Sequence, residues 1–438
     1  MVQTCATNIG LQQKLSQTIS NKLKSEFKAT TIYDRQEFLE VSLQNSITQY
    51  TAETNDRFTD WAGRLKNFFG SVNTAYDRVI SEKPEDLLEI ATECIFHRML
   101  KEENAQYDSL FLNKNFLGEH FLTPRTNEEA IFEKCLKHWD NGFHKSILIV
   151  GDNLSGKTTF INKAVKKSLR KEVLFVMPNS SISYRGRKFK TTKEVKEVKE
   201  VLREIKKSSY NSKPIVVIDH LEFWHDQEFT LLDNVRAIIK FIESESDAIL
   251  VVISVSSLMQ THLDKRLPFS SSFSTHIDLN YSTTPEIFEA VRLRHGASHR
   301  KLVDEKEEQI SPLQFERLVQ RLAKRCDNNL GEVLQAWTYG TNLASDNMIL
   351  YDESSLYFPD FFTNEEAILV KYALLYRTID ERTLKGFLGK RYGSGYESGL
   401  KRLSNTKVFV RDASGFLSLN PVIFNEAKKI LNYRGIFK

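Results

Sequence analysis

Gly151-Asp152-Asn153-Leu154-Ser155-Gly156-Lys157-Thr158 sets two glycines, a lysine and a hydroxyl in the spacing GxxxxGK[ST]. Glycines at these places let successive backbone N–H groups curl around phosphate oxygens. Lys157 can reach the β- and γ-phosphates of a nucleotide, and the Thr158 hydroxyl can ligate Mg²⁺. The flanks fit: 146–150 reads as an apolar strand before the loop. A helix opening with Thr159 reads after it, and its N-terminus adds the positive end of a dipole. A second acid is needed on a neighbouring strand, and Ile215-Val216-Val217-Ile218 runs straight into Asp219. Asp219 would order the Mg²⁺ shell. Glu222, three residues on, is either the base that orients an attacking water or a carboxylate at a helix start. ATP and Mg²⁺ are the expected cofactors, and no guanine-specifying NKxD motif occurs.

These residues need a sheet to hold them. Apolar runs at 146–150, 172–177, 214–218, 248–254 and 275–279 alternate with helical stretches at 157–170, 192–208 and 231–244. Near-continuous apolar strands separated by helices predict an α/β fold with a parallel sheet covered on both faces. Beyond it, 285–295, 311–325 and 331–341 predict an all-helical second lobe. Residues 361–438 read helix, helix, helix, hairpin, helix, the order of a winged helix, with the hairpin turn at 412–415. The first 125 residues read as helical: Phe58, Trp61, Leu65 and Phe68 share one face, and Pro84 opens a further amphipathic helix. The expected division is an N-terminal helical region (1–120), a P-loop core (121–282), a helical lid (283–358) and a winged-helix domain (359–438). Arg185, Arg187, Lys188 and Lys190 lie in an expected loop, read as a solvated surface before an anion site.

From about residue 120 onward this order resembles the AAA+/STAND group of P-loop ATPases, and within it the initiator clade of origin-recognition proteins. Residues 263–279, 328–337 and Leu419-Asn420-Pro421 are also similar to a set of bacterial ATP-binding proteins. The resemblance implies a strand order of 5-1-4-3-2, a lid over the nucleotide and nucleotide-dependent self-assembly. It implies that Ser254 or Ser256 is the polar residue sensing the γ-phosphate. Arg266 is either an arginine acting on a neighbouring subunit's nucleotide or a surface ion-pair residue. The turn at 327–332 would face the nucleotide, with Arg325 or Lys324 toward the phosphates. Two departures stand out. His220 occupies the place where many such enzymes carry Glu, and Asn329-Leu330 replaces a Gly-Asn-Pro turn.

The 438 residues are 41% hydrophobic and 27% charged, which excludes global disorder. Four widely spaced cysteines exclude a disulfide framework or zinc finger and suit a reducing, cytoplasmic setting. Net charge is +4, yet 361–438 alone holds eight Lys and six Arg against seven acids, a balance of +7. Two readings follow. The third helix and wing of the C-terminal module engage duplex DNA, with Lys390, Arg391, Lys401, Arg402, Lys407 and Arg411 toward phosphates. Alternatively the module docks a protein and its charges are solvated. The leading expectation is an ATPase acting as a nucleotide-controlled switch. The alternative is a non-hydrolysing ATP-binding structural subunit.

Overall fold

The computed structural model describes residues 84–99, 105–112, 121–166, 172–178, 181–184, 187–190, 198–209, 212–225, 230–304, 306–345, 347–353 and 356–437. The expected face of Phe58, Trp61, Leu65 and Phe68 lies outside these residues, as do Arg185 and the expected helical stretches at 167–170 and 192–197. Helices α1 (Pro84–Met99), α2 (Ala105–Leu112) and α3 (Thr126–Asp140) lead into strand β1 (Ser146–Val150). The phosphate-loop helix α4 (Lys157–Lys166) and β2 (Val173–Phe175) follow, then β3 (Ser181–Tyr184), β4 (Arg187–Lys190) and α5 (Val198–Ser208). Strand β5 (Ile215–Ile218), α6 (Leu231–Glu245), β6 (Leu250–Val255), α7 (Ser257–Asp264) and β7 (Thr275–Asp278) complete the α/β core.

The central sheet holds five parallel strands in the order β2-β5-β6-β1-β7. Numbered within the sheet this is 5-1-4-3-2 read from its other edge, as the resemblance implied. Every residue of β1, β5 and β6 is buried, because helices cover both faces. Successive side chains point to opposite faces. Ile147, Ile149, Ile215, Val217 and Val252 pack on α3 and α4 through Phe132, Trp139, Phe160 and Ile161. Leu148, Val150, Val216, Ile218 and Val251 pack on α5, α6 and α7 through Leu202, Ile205, Ile238 and Met259.

Between β2 and α5 the chain forms an antiparallel hairpin of β3 with β4. The basic segment read as a loop is therefore part of a two-stranded ribbon: short alternation in SISY and RKFK outweighs the charge.

The lid contains α8 (Thr284–Ala297), α9 (Pro312–Arg325) and α10 (Leu330–Gly340), each with a capped N-terminus. It is not all-helical. Strands β8 (Lys301–Val303), β9 (Thr341–Ser345) and β10 (Met348–Tyr351) form a three-stranded sheet in the order β8-β10-β9. Its anchor is Trp337, stacked on Tyr351 with centroids 4.8 Å apart. The Trp337 indole donates to the Tyr107 hydroxyl of α2 at 2.8 Å.

The C-terminal module is built from α11 (Asn364–Tyr376), β11 (Thr378–Ile379), α12 (Glu381–Leu388), α13 (Glu397–Asn405), β12 (Phe409–Arg411), β13 (Leu417–Leu419) and α14 (Phe424–Tyr433). Its antiparallel strands run β11-β13-β12, and the expected hairpin is the pair β12 and β13. Ala91 and Ile95 of α1 are buried in this module's core. Arg98 then joins module to lid. It donates to Val422 O at 2.9 Å, to Glu426 Oε1 at 2.5 Å and to Leu356 O at 3.3 Å, and it lies 4.6 Å from the Tyr339 ring centroid.

Candidate nucleotide-binding site

β1 ends where the glycine loop begins. Leu154 (φ 63°) and Gly156 (φ 85°) adopt left-handed backbone, which curls the loop. At Gly151 a Cβ would lie 2.3 Å from Ser155 Oγ, so the cradle closes on itself there. Asn280, just past β7, accepts the Asp152 N–H at 2.8 Å. The lid presses on the same loop. Asn329 Nδ2 donates to Asn153 O at 2.9 Å, and a Cβ on Gly331 would lie 2.2 Å from Leu154 O.

Lys157 is buried and donates to Gly151 O at 2.6 Å and Asp152 O at 2.9 Å. Burial first, then the neighbouring Arg377 charge, bring its ammonium down to about 8. Thr158 Oγ1 donates to Asp219 Oδ2 at 2.7 Å. The other Asp219 oxygen accepts from Ser254 Oγ and from the His220 N–H at 3.1 Å. Burial alone would raise the Asp219 carboxyl, but His220, Ser254, Thr158 and Lys157 together hold it below its ordinary value. Thr158 and Asp219 present a hydroxyl and a carboxylate oxygen side by side, an all-oxygen donor set that fits Mg²⁺.

His220 sits in left-handed backbone (φ 55°), uncommon for a residue with a side chain. The turn brings its N–H onto Ser254 Oγ as well, at 3.0 Å. Its Nε2 stands 3.5 Å from Thr158 Oγ1, and burial holds the ring below its ordinary pKa. Glu222 follows in a single 3-10 turn and is 1% exposed. Its Oε1 accepts the Ser256 N–H at 2.7 Å, while its buried Oε2 has no hydrogen-bond partner. Burial would raise this carboxyl, but Arg377, Lys157 and His220 outweigh it and keep it ionised.

The structure thus brings Gly151 through Thr158, Asp219, Glu222 and Ser254 to one end of the sheet. Thr159 lies exposed on the first turn of α4. Of the two serines, Ser254 bonds Asp219, whereas Ser256 caps α7 and supplies only its backbone N–H to Glu222. Arg266 is exposed and bonds its own neighbour His262 at 3.1 Å, outside this cluster. Arg325 donates to Leu356 O at 2.8 Å and Lys324 is exposed, so the lid reaches the loop through Asn329 and Gly331 instead. Two cations from the C-terminal module join the site without any sign in the sequence. Arg377 Nη1 donates to Asn153 Oδ1 at 3.2 Å, and Lys428 Nζ bonds Asp152 Oδ2. No local motif marks either one, since their partners lie more than 200 positions away in the chain.

No family model matches the chain, and no curated protein matches its sequence. Solved structures overlap it loosely. The Aeropyrum pernix ORC2 protein in its ADPNP–ADP complexes is 14% identical, with 75% of this chain and 98% of that chain covered and a TM-score of 0.39. The Drosophila ORC bound to DNA is 11% identical over 75% and 92% of the two chains, with a TM-score of 0.41. The Thermotoga maritima RuvB branch-migration motor is 14% identical over 70% and 98%, with a TM-score of 0.29. The strand order and the loop after β1 are the chain's own marks of an AAA+ fold. Among the described residues, no helix is long and apolar enough to cross a membrane.

Proposed function

We propose that this chain is an ATP–Mg²⁺-dependent switch of the AAA+ kind that hydrolyses ATP. The observation that carries the reading is the convergence of Lys157, Thr158, Asp219, Ser254 and Glu222 on the glycine loop. Lys157 and the α4 N-terminus receive the phosphates. Thr158 and Asp219 would hold Mg²⁺, which supplies charge neutralisation to the β- and γ-phosphates. Ser254 and the His220 N–H fix the rotamer of Asp219. Glu222, ionised and with one oxygen unpartnered, is the acceptor for a proton of the attacking water. Asn329 and Gly331 carry the presence of nucleotide into the lid. Arg266 would act on a neighbouring subunit's nucleotide on self-association.

For the readout we favour duplex DNA at the outer face of the C-terminal module. Lys390, Arg391, Lys401 and Arg411 are exposed there. Arg402 is not free for phosphate, because it forms a two-pronged pair with buried Glu366. The second reading, a non-hydrolysing subunit whose module docks a protein, is favoured by the Ser256 N–H already held on Glu222 Oε1 and by His220 beside Asp219. ATP turnover by the full chain, with and without duplex DNA, separates the two. Turnover that DNA raises and that Lys157→Ala and Glu222→Gln abolish supports the switch. ATP binding without turnover, unaffected by DNA, establishes the second reading.

A further inference from the structure

We propose that Arg377, carried by the C-terminal module, reads the terminal phosphate of the bound nucleotide and so couples the module's position to ATP rather than ADP. The inference rests on the nucleotide site proposed above and adds to it a residue from a different lobe.

The placement of Arg377 is built, not incidental. The last turn of α11 is sunk into the ATPase core: Leu375 is 2% exposed and belongs to the apolar cluster of Trp224 and Met259. Tyr376 meets the His225 ring edge-on at 4.8 Å. The helix then stops in a left-handed turn at Arg377 (φ 64°), which turns the side chain away from the helix axis and onto the phosphate loop. The guanidinium lies 4.3 Å from the centroid of the Phe424 ring at the start of α14. A cation over a buried aromatic face is held in orientation. One α14 turn further, Lys428 bonds Asp152 and holds the same module on the same loop.

The surroundings indicate what Arg377 awaits. Its hydrogen bond is to a neutral amide, Asn153, while the carboxylates acting on it, Glu222 and Asp152, act at longer range. Lys157 and Arg377 both donate to the glycine loop, Lys157 to Gly151 O and Arg377 to Asn153 Oδ1. Two cations beside that loop are an arrangement that a polyanion relieves. A guanidinium offers a planar fork of donors matched to phosphate oxygens. A ligand moves a conformational equilibrium only as far as it binds the two states differently. Arg377 provides that difference, because a triphosphate offers the guanidinium fork one phosphate more than a diphosphate does.

The test is calorimetric titration of the full chain with ADP and with the non-hydrolysable analogue AMP-PNP, each with Mg²⁺. In Arg377→Gln, AMP-PNP should weaken at least tenfold, about 1.4 kcal/mol, and ADP less than threefold. Arg377→Lys, which keeps the charge but not the fork, should fall between; it carries the same readout where the glutamine variant does not fold. Lys428→Ala loosens the docked module that carries the guanidinium, so it should weaken AMP-PNP more than ADP, by a smaller factor than Arg377→Gln does. Amide exchange across α14 should be slower with AMP-PNP than with ADP, and that difference should vanish in Arg377→Gln. Equal weakening of both nucleotides in the Arg377 variants reduces the residue to a structural role and overturns the inference, leaving the nucleotide site intact. Wild-type chain that binds neither nucleotide, or Lys157→Ala that binds both as well as wild type, overturns the site itself and this inference with it.

Discussion

Arg377, Lys428 and Lys429 point from the C-terminal module into the α/β core and lid, whereas Lys385, Lys401 and Arg411 of the same module face solvent. The inward group meets buried or half-buried partners: Lys428 on Asp152, Lys429 on Glu332 and on Arg325 O at 2.7 Å. The outward group forms exposed pairs within its own module: Lys385–Glu381 at 3.1 Å, Lys401–Glu397 at 3.0 Å and Arg411–Glu381 at 3.6 Å. Pairs of the second kind contribute about 0–1 kcal/mol and yield readily to a stronger anion. Those of the first kind are fixed by the fold. The module's balance of +7 is therefore not one surface. Part of it is committed to the glycine loop and the lid, and only the rest is available to an external partner.

Four measurements bear on that division. Removing a committed cation should cost the most. Arg402→Ala strands Glu366, which is 1% exposed, and should lower unfolding free energy by about 3 kcal/mol in urea titration. A decrease below about 1 kcal/mol would class Arg402 with the solvated charges. Lys429→Met comes next, at about 2 kcal/mol, because it leaves Glu332 without its ion-pair partner. Burial already pushes that carboxyl up to about 7 against the pull of Lys429. A folded value above the unfolded one means that stability falls as pH rises from about 4.5 to 7, and the variant should carry that fall on to higher pH.

The outward face, to which exposed Lys390 also belongs, should answer to DNA alone. Lys390→Ala, Lys401→Ala and Arg411→Ala combined should weaken duplex binding about tenfold and flatten its log–log salt slope by roughly three, at about 0.9 for each phosphate no longer neutralised. ATP affinity should stay within twofold, and a change in it would erase the distinction between the two faces. The smallest effect concerns pH. Lys157 is held near 8, below its unfolded value, so its charge costs stability below pH 8 and the cost is relieved between about 8 and 10.5. Nucleotide affinity should accordingly decline a few-fold from pH 7 to 9. Arg377→Gln removes a like charge, and the midpoint of that decline should move upward.

What could be read in advance follows the range of the interactions. Strands β1, β5 and β6 announce themselves because complete burial demands unbroken apolar runs. The glycine loop and Asp219 are legible because their chemistry fixes residue types at short spacing. Strands β8, β9 and β10 escape such a reading, being three to five residues long, with polar residues in β8 and β9 and only a four-residue apolar run in β10. Only tertiary packing around Trp337 makes them a sheet. Asn280, Arg377 and Lys428 carry no local signal: each is an ordinary residue made special by a partner 128 to 276 positions away. The choice between Ser254 and Ser256 likewise needs three dimensions, because neighbouring strand-end serines differ only in which way they point.

The two short helices ahead of the core have a mechanical consequence. α1 is fastened to the C-terminal module through Ile95 and Arg98, and α2 to the lid through Tyr107. Arg98 itself spans the division by touching both lobes at once, on Val422 O of the module and on Leu356 O of the lid. A nucleotide-driven movement of the kind proposed above would therefore carry lid and module together as a single jaw.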